Sequence, residues 1–564
     1  MSFTRLSAIL RRRWGGVVVV SGFVLSRIAL AQLAHLRFDN RPLNTALQFL
    51  DRGHLREDLV GSLLNLHSQP PLFNLFLGVV LQAPLNLQTP IFHALYLAVG
   101  LGLAVGLYAI LRRIGMPTVV AAAVSLVFTW SPSVFLYESW LHYDYPVTLG
   151  LCLAVLALQR YEAHQRARDA VLFLALIGAV VLTRSLFHVG LFLLWATVLV
   201  ARRREERGRL VAALALPLVV VVAIHMHRLV AFGTPTLSTT LGVSLAKITT
   251  FQLSESERRD LADRGEISTV SLVEPLSPAD RYHGLVPTPR RTGVPTLDEE
   301  VKGIYQSPRT DNDFFRTNLN SEIFLEVSDR YLADALHVIR VRPGAYFRGV
   351  ATATEIFFRP SSDFFTLAEN RGRVAGLDRF YNKAIFGVVA GGQGGYVLPE
   401  ARLQYRQGPA RTAWVVVAAY AVAFAWGAVT LLSRARRQEG DGEPVLTIAF
   451  LWLTTLYIFV VSNAVEVGEN NRFRLYSDLL VIALLSTLVM RWRRRRSAQA
   501  RGCHGSSPQE LEQLAPAQVA PGPRRLEKVA GLVDHQPHRS ADLLVAHEDN
   551  VVEVVAQDPL HRNR

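Results

Sequence analysis

Apolar residues in this chain gather into blocks separated by short polar joints, near residues 14–34, 90–111, 117–135, 145–159, 169–183, 187–201, 210–228, 411–432, 444–463 and 475–491. About twenty apolar residues is the length an α-helix needs to cross ~30 Å of hydrocarbon. The pattern predicts an all-α polytopic membrane protein with about ten transmembrane helices. Residues 71–82 form a further apolar run, but at ~1.5 Å per residue they cover less than the membrane core. The first block follows a basic stretch, Arg5 to Arg13. It is long for a signal-peptide core and lacks a small-residue cleavage site, so it reads as a retained span.

Two regions break the rhythm. In 35–89, Leu43, Leu47 and Leu50 recur at helical spacing, as do Leu55, Leu59 and Leu63. These short one-sided runs predict helices lying in the membrane interface. The stretch LHSQPPLFNLFLG (66–78) then sets a polar, helix-breaking step before the short apolar run, and Pro70 and Pro71 suit the start of a third short helix. Region 229–410 is too long for a connector and reads as an extracytoplasmic, α-rich domain or elaborated loop. Within it Phe324, Val327, Tyr331, Ala335 and Val338 mark a helix that Pro343 ends. AGGQGGYV at 390–397 lacks the Lys-Ser/Thr of a phosphate loop and reads as a flexible element. The predicted organisation is an N-terminal transmembrane module (1–228) with an outer loop at 35–89, the 229–410 insertion, a C-terminal three-helix module (411–496) and a disordered cytoplasmic tail (497–564).

Arginine fixes the expected orientation, because basic residues near span ends stay cytoplasmic. With residues 71–82 not crossing, the inside joints hold 22 arginines at span ends and the short outside joints 7. Both termini are then expected in the cytoplasm of a multi-pass cell-membrane protein. Half the residues are hydrophobic and 19% are charged, below the usual quarter for soluble domains. The net charge of +14 comes from arginines clustered at span ends, which points to topology and anionic membrane lipid rather than nucleic acid. Two cysteines, Cys152 in an apolar block and Cys503 in the tail, give no disulfide framework.

On that topology one face collects Asp39, Asp51, Glu57, Asp58, His67, Glu138, His142, Asp144, Arg184, His188, Glu466, Glu469, Arg472 and Arg474. Ionisable groups at membrane boundaries are costly unless paired or hydrated, so this asymmetry directs attention outward. Each piece has a plain structural reading as well. Asp39 in FDNRP suits a cap or a solvated loop acid. The rings of YESWLHYDYP suit an aromatic belt, which leaves Glu138, His142 and Asp144 unexplained. Arg472 and Arg474 in ENNRFRLYSD share a face only if the chain is extended there, and they suit either interfacial snorkelling or phosphate binding.

These motifs resemble the GT-C superfamily of membrane glycosyltransferases, closest to the branch of protein O-mannosyltransferases and lipid A aminoarabinose transferases. The resemblance rests on Asp39-Asn40 after the first span, His67-Ser-Gln-Pro-Pro-Leu72 before the short helix, and Asp144-Tyr145-Pro146. It covers about the first 230 residues and the stretch 469–474. Asn40 stands where an acid is common, and the Ser-Gln pair lengthens the His-to-Pro step, so the sugar stays open.

The resemblance implies transfer of a sugar from a polyprenyl-phosphate donor to a lipid, protein or polysaccharide acceptor on the outer face. Such chemistry needs a base, worth roughly 10²–10⁴-fold in rate, positive charge for the departing phosphate and an apolar groove for the prenyl chain. Asp39 is the expected general base, with Asp144 or Glu138 as a second acid. Arg184, Arg472 and Arg474 are candidates for the phosphate, and His67 and Glu469 for other substrate contacts. Asp39, His67, Glu138 and Asp144 are also a hard-ligand set for a divalent metal, although their spacing forms no metal motif. The alternative class is a transporter or flippase of envelope lipids.

Overall fold

The computed structural model describes residues 3–202, 207–303, 317–389, 411–437 and 445–504. The glycine-rich stretch 390–397 and the tail beyond His504 lie outside the described residues. Residues 1–499 form one compact unit, and residues from 500 onward a second, of which only the end of the last helix is described.

The described residues are helical, with no strand among them. Among the described residues six helices are long and apolar enough to cross a membrane: Trp14–Gln32, Leu85–Arg113, Leu210–Phe232, Trp414–Arg434, Val445–Val465 and Asn470–Ser497. Thr118–Thr129 and Pro132–Glu138 add a seventh if taken as one span bent by 60°. The break falls at Ser131, which caps the second piece, and at Pro132, which has no N–H to continue the ladder.

Three expected spans are helices that do not meet that standard. Block 145–159 is Asp144–His164, whose last turns carry Arg160 and Glu162. Blocks 169–183 and 187–201 are Ala167–Val181, of 15 residues, and Val189–Arg202, of 14. At ~1.5 Å per residue each is about 22 Å long, short of ~30 Å of hydrocarbon, as the apolar blocks themselves were.

Region 35–89 holds the short helices Pro42–Thr45, Arg52–Glu57, Leu59–Leu64 and Pro71–Leu81. Pro70 and Pro71 start the last as their rigid φ predicts, and its 11 residues reach only about 16 Å. Asp51 and Asp58 are helix caps, accepting from the backbone N–H of Gly53 and Gly61.

The described residues of the expected insertion, 229–410, are packed into the same unit as the long helices. Ile323–Val341 is the helix foreseen, with Phe324, Val327, Tyr331, Ala335 and Val338 all buried, and Pro343 opens the next helix, Pro343–Phe357, at once. Gly242 lets Leu241–Ile248 press against it: a Cβ there would lie 1.8 Å from the Ser328 carbonyl oxygen. The last helix runs through Asn470–His504, so it begins before Arg472 and continues past residue 497, where a disordered tail was expected to start.

Candidate functional site

Polar residues cluster at one end of the long helices. Backbone hydrogen bonds join Asp39 N–H to the Ser139 carbonyl (2.7 Å) and Leu141 N–H to the Asp39 carbonyl (2.9 Å). This lays the segment after the first helix beside the turn at 139–143. Contacts from the Arg184 loop and the start of Asn470–His504 complete the cluster. At the other end the Arg494 guanidinium donates to the Ile114 carbonyl at 2.7 Å, just past Arg112 and Arg113 in the last turn of Leu85–Arg113.

At the centre is Asp144, fully buried at the first turn of its helix. Its carboxylate accepts from the Tyr476 hydroxyl. It also lies 2.9 Å from His142 Nδ1 and 3.3 Å from Arg472 Nε, close approaches that lack hydrogen-bond alignment. The Arg472 fork turns to Glu469 at 2.6 Å. Trp140 stacks on the His142 ring at 4.2 Å with 5° between planes, and the Tyr96 hydroxyl donates to the His142 carbonyl at 2.6 Å. Gln48 Nε2 sits 3.2 Å from His142 Nε2 and donates to the Tyr143 hydroxyl at 3.0 Å. Burial pushes the His142 imidazole down to about 4, against the pull of Asp144, so the ring is neutral at neutral pH. Burial alone would raise Glu469, but Arg472, Lys247 and Arg184 bring it below the usual carboxylate range.

Arg184 connects this cluster to open space. Its guanidinium donates to the Tyr143 hydroxyl and lies over the Tyr143 and Phe473 rings at 4.7 and 5.2 Å. It lines a cavity of about 450 Å³ with apolar walls, including Leu186, Val189, Phe232, Val461 and Val465. The cavity also has a hydroxyl-rich side, Thr234, Thr236, Ser238, Thr239 and Thr240. A second, apolar groove of about 350 Å³ runs between Ala29–Ala34 and Arg373–Leu377, a few residues before Asp39.

The other expected site residues are placed differently. Asp39 is held by Arg41, whose Nε and Nη2 donate to its two oxygens at 2.8 and 2.7 Å. That arginine is 56% exposed. Asn40, where an acid was looked for, donates to Thr89 at 2.7 Å. Glu138 is occupied: Arg27 of the first helix grips it at 2.7 and 2.9 Å, and the Tyr145 hydroxyl donates to it at 2.8 Å.

His67 does not face an open site. Its ring nitrogens lie 2.8 Å from the Thr239 hydroxyl and 2.9 Å from the Asn320 carbonyl, and its own N–H donates to Asn320 Oδ1. Burial pushes it down to about 3, with Arg228 acting in the same direction. Arg474 is helical with Arg472, not extended, and so points elsewhere, donating to the Arg359 carbonyl at 2.7 Å and lying 3.3 Å from Asp478.

Asp39, His67, Glu138 and Asp144 thus each have separate partners. No group of three or more His, Cys, Asp or Glu that would hold a metal ion occurs among the described residues. Sequence reading missed Arg27, Gln48, Tyr143 and Tyr476 as members of these networks. Arg27, a lone charge within the first apolar block, was the one signal available for them. No family model, no curated protein and no solved structure matches the chain.

Proposed function

We propose that this protein is a membrane glycosyltransferase that moves a sugar from a polyprenyl-phosphate donor to an acceptor hydroxyl or amine. The observation that carries this reading is Arg184. It is a buried arginine opening onto a cavity that is apolar on one side and hydroxyl-rich on the other, backed by the Asp144–His142–Arg472–Glu469 cluster. Such a space suits a ligand that is greasy at one end and polyhydroxylated at the other, with an anion between.

In the proposed reaction the bond between the sugar's anomeric carbon and the phosphate oxygen breaks. The acceptor oxygen or nitrogen bonds to that carbon, its proton passes to a carboxylate, and the lipid phosphate departs. Arg184 offsets the charge growing on the phosphate. Asp39 remains the proposed base: its grip by Arg41 is a surface pair, worth about 0–1 kcal/mol, which an incoming acceptor displaces. Asp144, with no exposure, acts as a positioning residue that holds His142 and Arg472 in place. We take this end of the helices as the extracytoplasmic face and keep a ten-span arrangement with both termini inside, on the arginine distribution.

The test is mass spectrometry of envelope glycolipids and glycoproteins in a deletion strain. Loss of one defined sugar is expected, restored by the wild-type chain and not by Asp39→Asn or Arg184→Met at equal protein level. A complete glycan profile in the deletion strain would refute the reading. Lipid scrambling in proteoliposomes without transfer to any acceptor would replace it with transport.

A further inference from the structure

Arg228 has no acidic partner among the described residues. It lies near the end of Leu210–Phe232, is 2% exposed, and no hydrogen-bond partner among the described residues reaches its Nε or Nη1. Its guanidinium carbon lies 5.4 Å from the centroid of the Phe232 ring, and its charge also acts on His67. A buried guanidinium without a counter-ion is costly to desolvate, and no acid among the described residues offsets that cost. Ionisable residues within membrane helices mark ligand paths by default.

Two further observations say what the missing partner is. His225 and Phe232, three residues before and four after Arg228, both line the 450 Å³ cavity, so the arginine lies on the same helix face, directly behind that wall. The facing segment 234–240 presents hydroxyls in a row, with the Thr234 and Thr236 oxygens 3.1 Å apart and those of Ser238 and Thr240 2.9 Å apart. Fork-shaped N–H donors beside small hydroxyls are the groups that bind phosphate oxygens. The rest of the wall is mixed, with apolar residues beside Arg184, His188, His225, Asp329 and Glu466, and Glu466 is already paired with Lys247. The same helix bares Leu216, Val219 and Val230 on its outer side.

We propose that Arg228 and the 234–240 hydroxyls form a second anion subsite in this cavity, apart from Arg184, that takes a phosphate group. The subsite stands on binding alone and is independent of whether sugar transfer occurs.

The test follows the unfolding midpoint of the purified full chain in neutral detergent. The probes are dihexanoyl phosphatidic acid and inorganic phosphate, with chloride at matched ionic strength as the reference. Wild type is expected to gain several degrees with phosphatidic acid. Arg228→Met is expected to be at least as stable without ligand, since it removes an uncompensated charge, and to lose most of that gain. Arg228→Lys, which keeps the charge without the fork, retains part of it. A response to phosphatidic acid alone assigns the subsite to a lipid-borne phosphate, and a response to both probes to phosphate in general. Equal gains in wild type and Arg228→Met, or a gain lost in Arg184→Met and kept in Arg228→Met, would overturn the inference. An Asp144→Asn chain that has lost transfer should still respond, which separates failure of this subsite from failure of the proposed reaction.

Discussion

His67 is the residue whose reading changed most, and its replacement by Gln tests the change. In the folded chain its imidazole is neutral, held between Thr239 and Asn320 with a value near 3, against an ordinary 6.5. Because the folded value lies below the unfolded one, the unfolded chain takes up the proton first. The stability His67 contributes is therefore complete above about pH 6.5 and is lost as pH falls from there towards 3. At about pH 5, roughly 1.5 units below the unfolded value, the loss is about 2 kcal/mol at 1.36 kcal/mol per unit.

Gln at 67 does not titrate, so the variant should lose about 2 kcal/mol less than wild type between pH 7 and pH 5. At pH 7 it should be less stable by about 1–3 kcal/mol, for hydrogen bonds left unmade. Denaturant unfolding in mild detergent at the two pH values measures both quantities. Equal pH losses in wild type and His67→Gln, within about 0.5 kcal/mol, would refute the account of His67 as a buried neutral pin.

Glu138→Ala leaves Arg27 buried and uncompensated, and should destabilise by about 3–5 kcal/mol in the same assay, whereas replacing both by Met and Leu should recover most of the loss. A Gly100→Ala chain should behave like a weaker Glu138 variant, because its Cβ would lie 2.0 Å from the Glu138 carboxylate. For Asp144 and Arg472, a double-mutant cycle with Asn and Met should give a coupling above about 1 kcal/mol, and additivity would show that their 3.3 Å approach contributes nothing. Ser254→Ala removes the capping box of Glu255–Asp263 and should cost about 1 kcal/mol with no effect on any transfer activity.

Local signals carried far along this chain. The Pro70-Pro71 helix start and the stripe from Phe324 to Val338 were legible because each depends on residues within a few positions of one another. Partnerships across the chain were not. Nothing near Glu138 shows that Arg27 takes both its oxygens, and nothing near His67 shows Asn320 waiting more than 250 positions away. Hydropathy located 169–183 and 187–201 to within two residues of their helices, but it does not decide whether a helix of 14 or 15 residues reaches across a membrane. The cluster around Asp144 was half visible: its acids and arginines stood out by charge, while Tyr143 and Trp140 looked like an aromatic belt and Tyr476 carried no signal.

The Arg27–Glu138 pair also bears on how the chain is made. Its two members are 111 positions apart, so the first helix emerges from the ribosome long before its counter-ion exists. An arginine five residues before the end of an otherwise apolar span disfavours release into lipid by itself, by at most about 2.5–3.5 kcal/mol, the insertion-scale value for a helix centre. The first helix should therefore linger at the insertion machinery, or beside a helper, until the bent segment carrying Glu138 arrives. Truncated nascent chains ending before residue 138 should then crosslink to that machinery through the first helix, and chains extending beyond it should not.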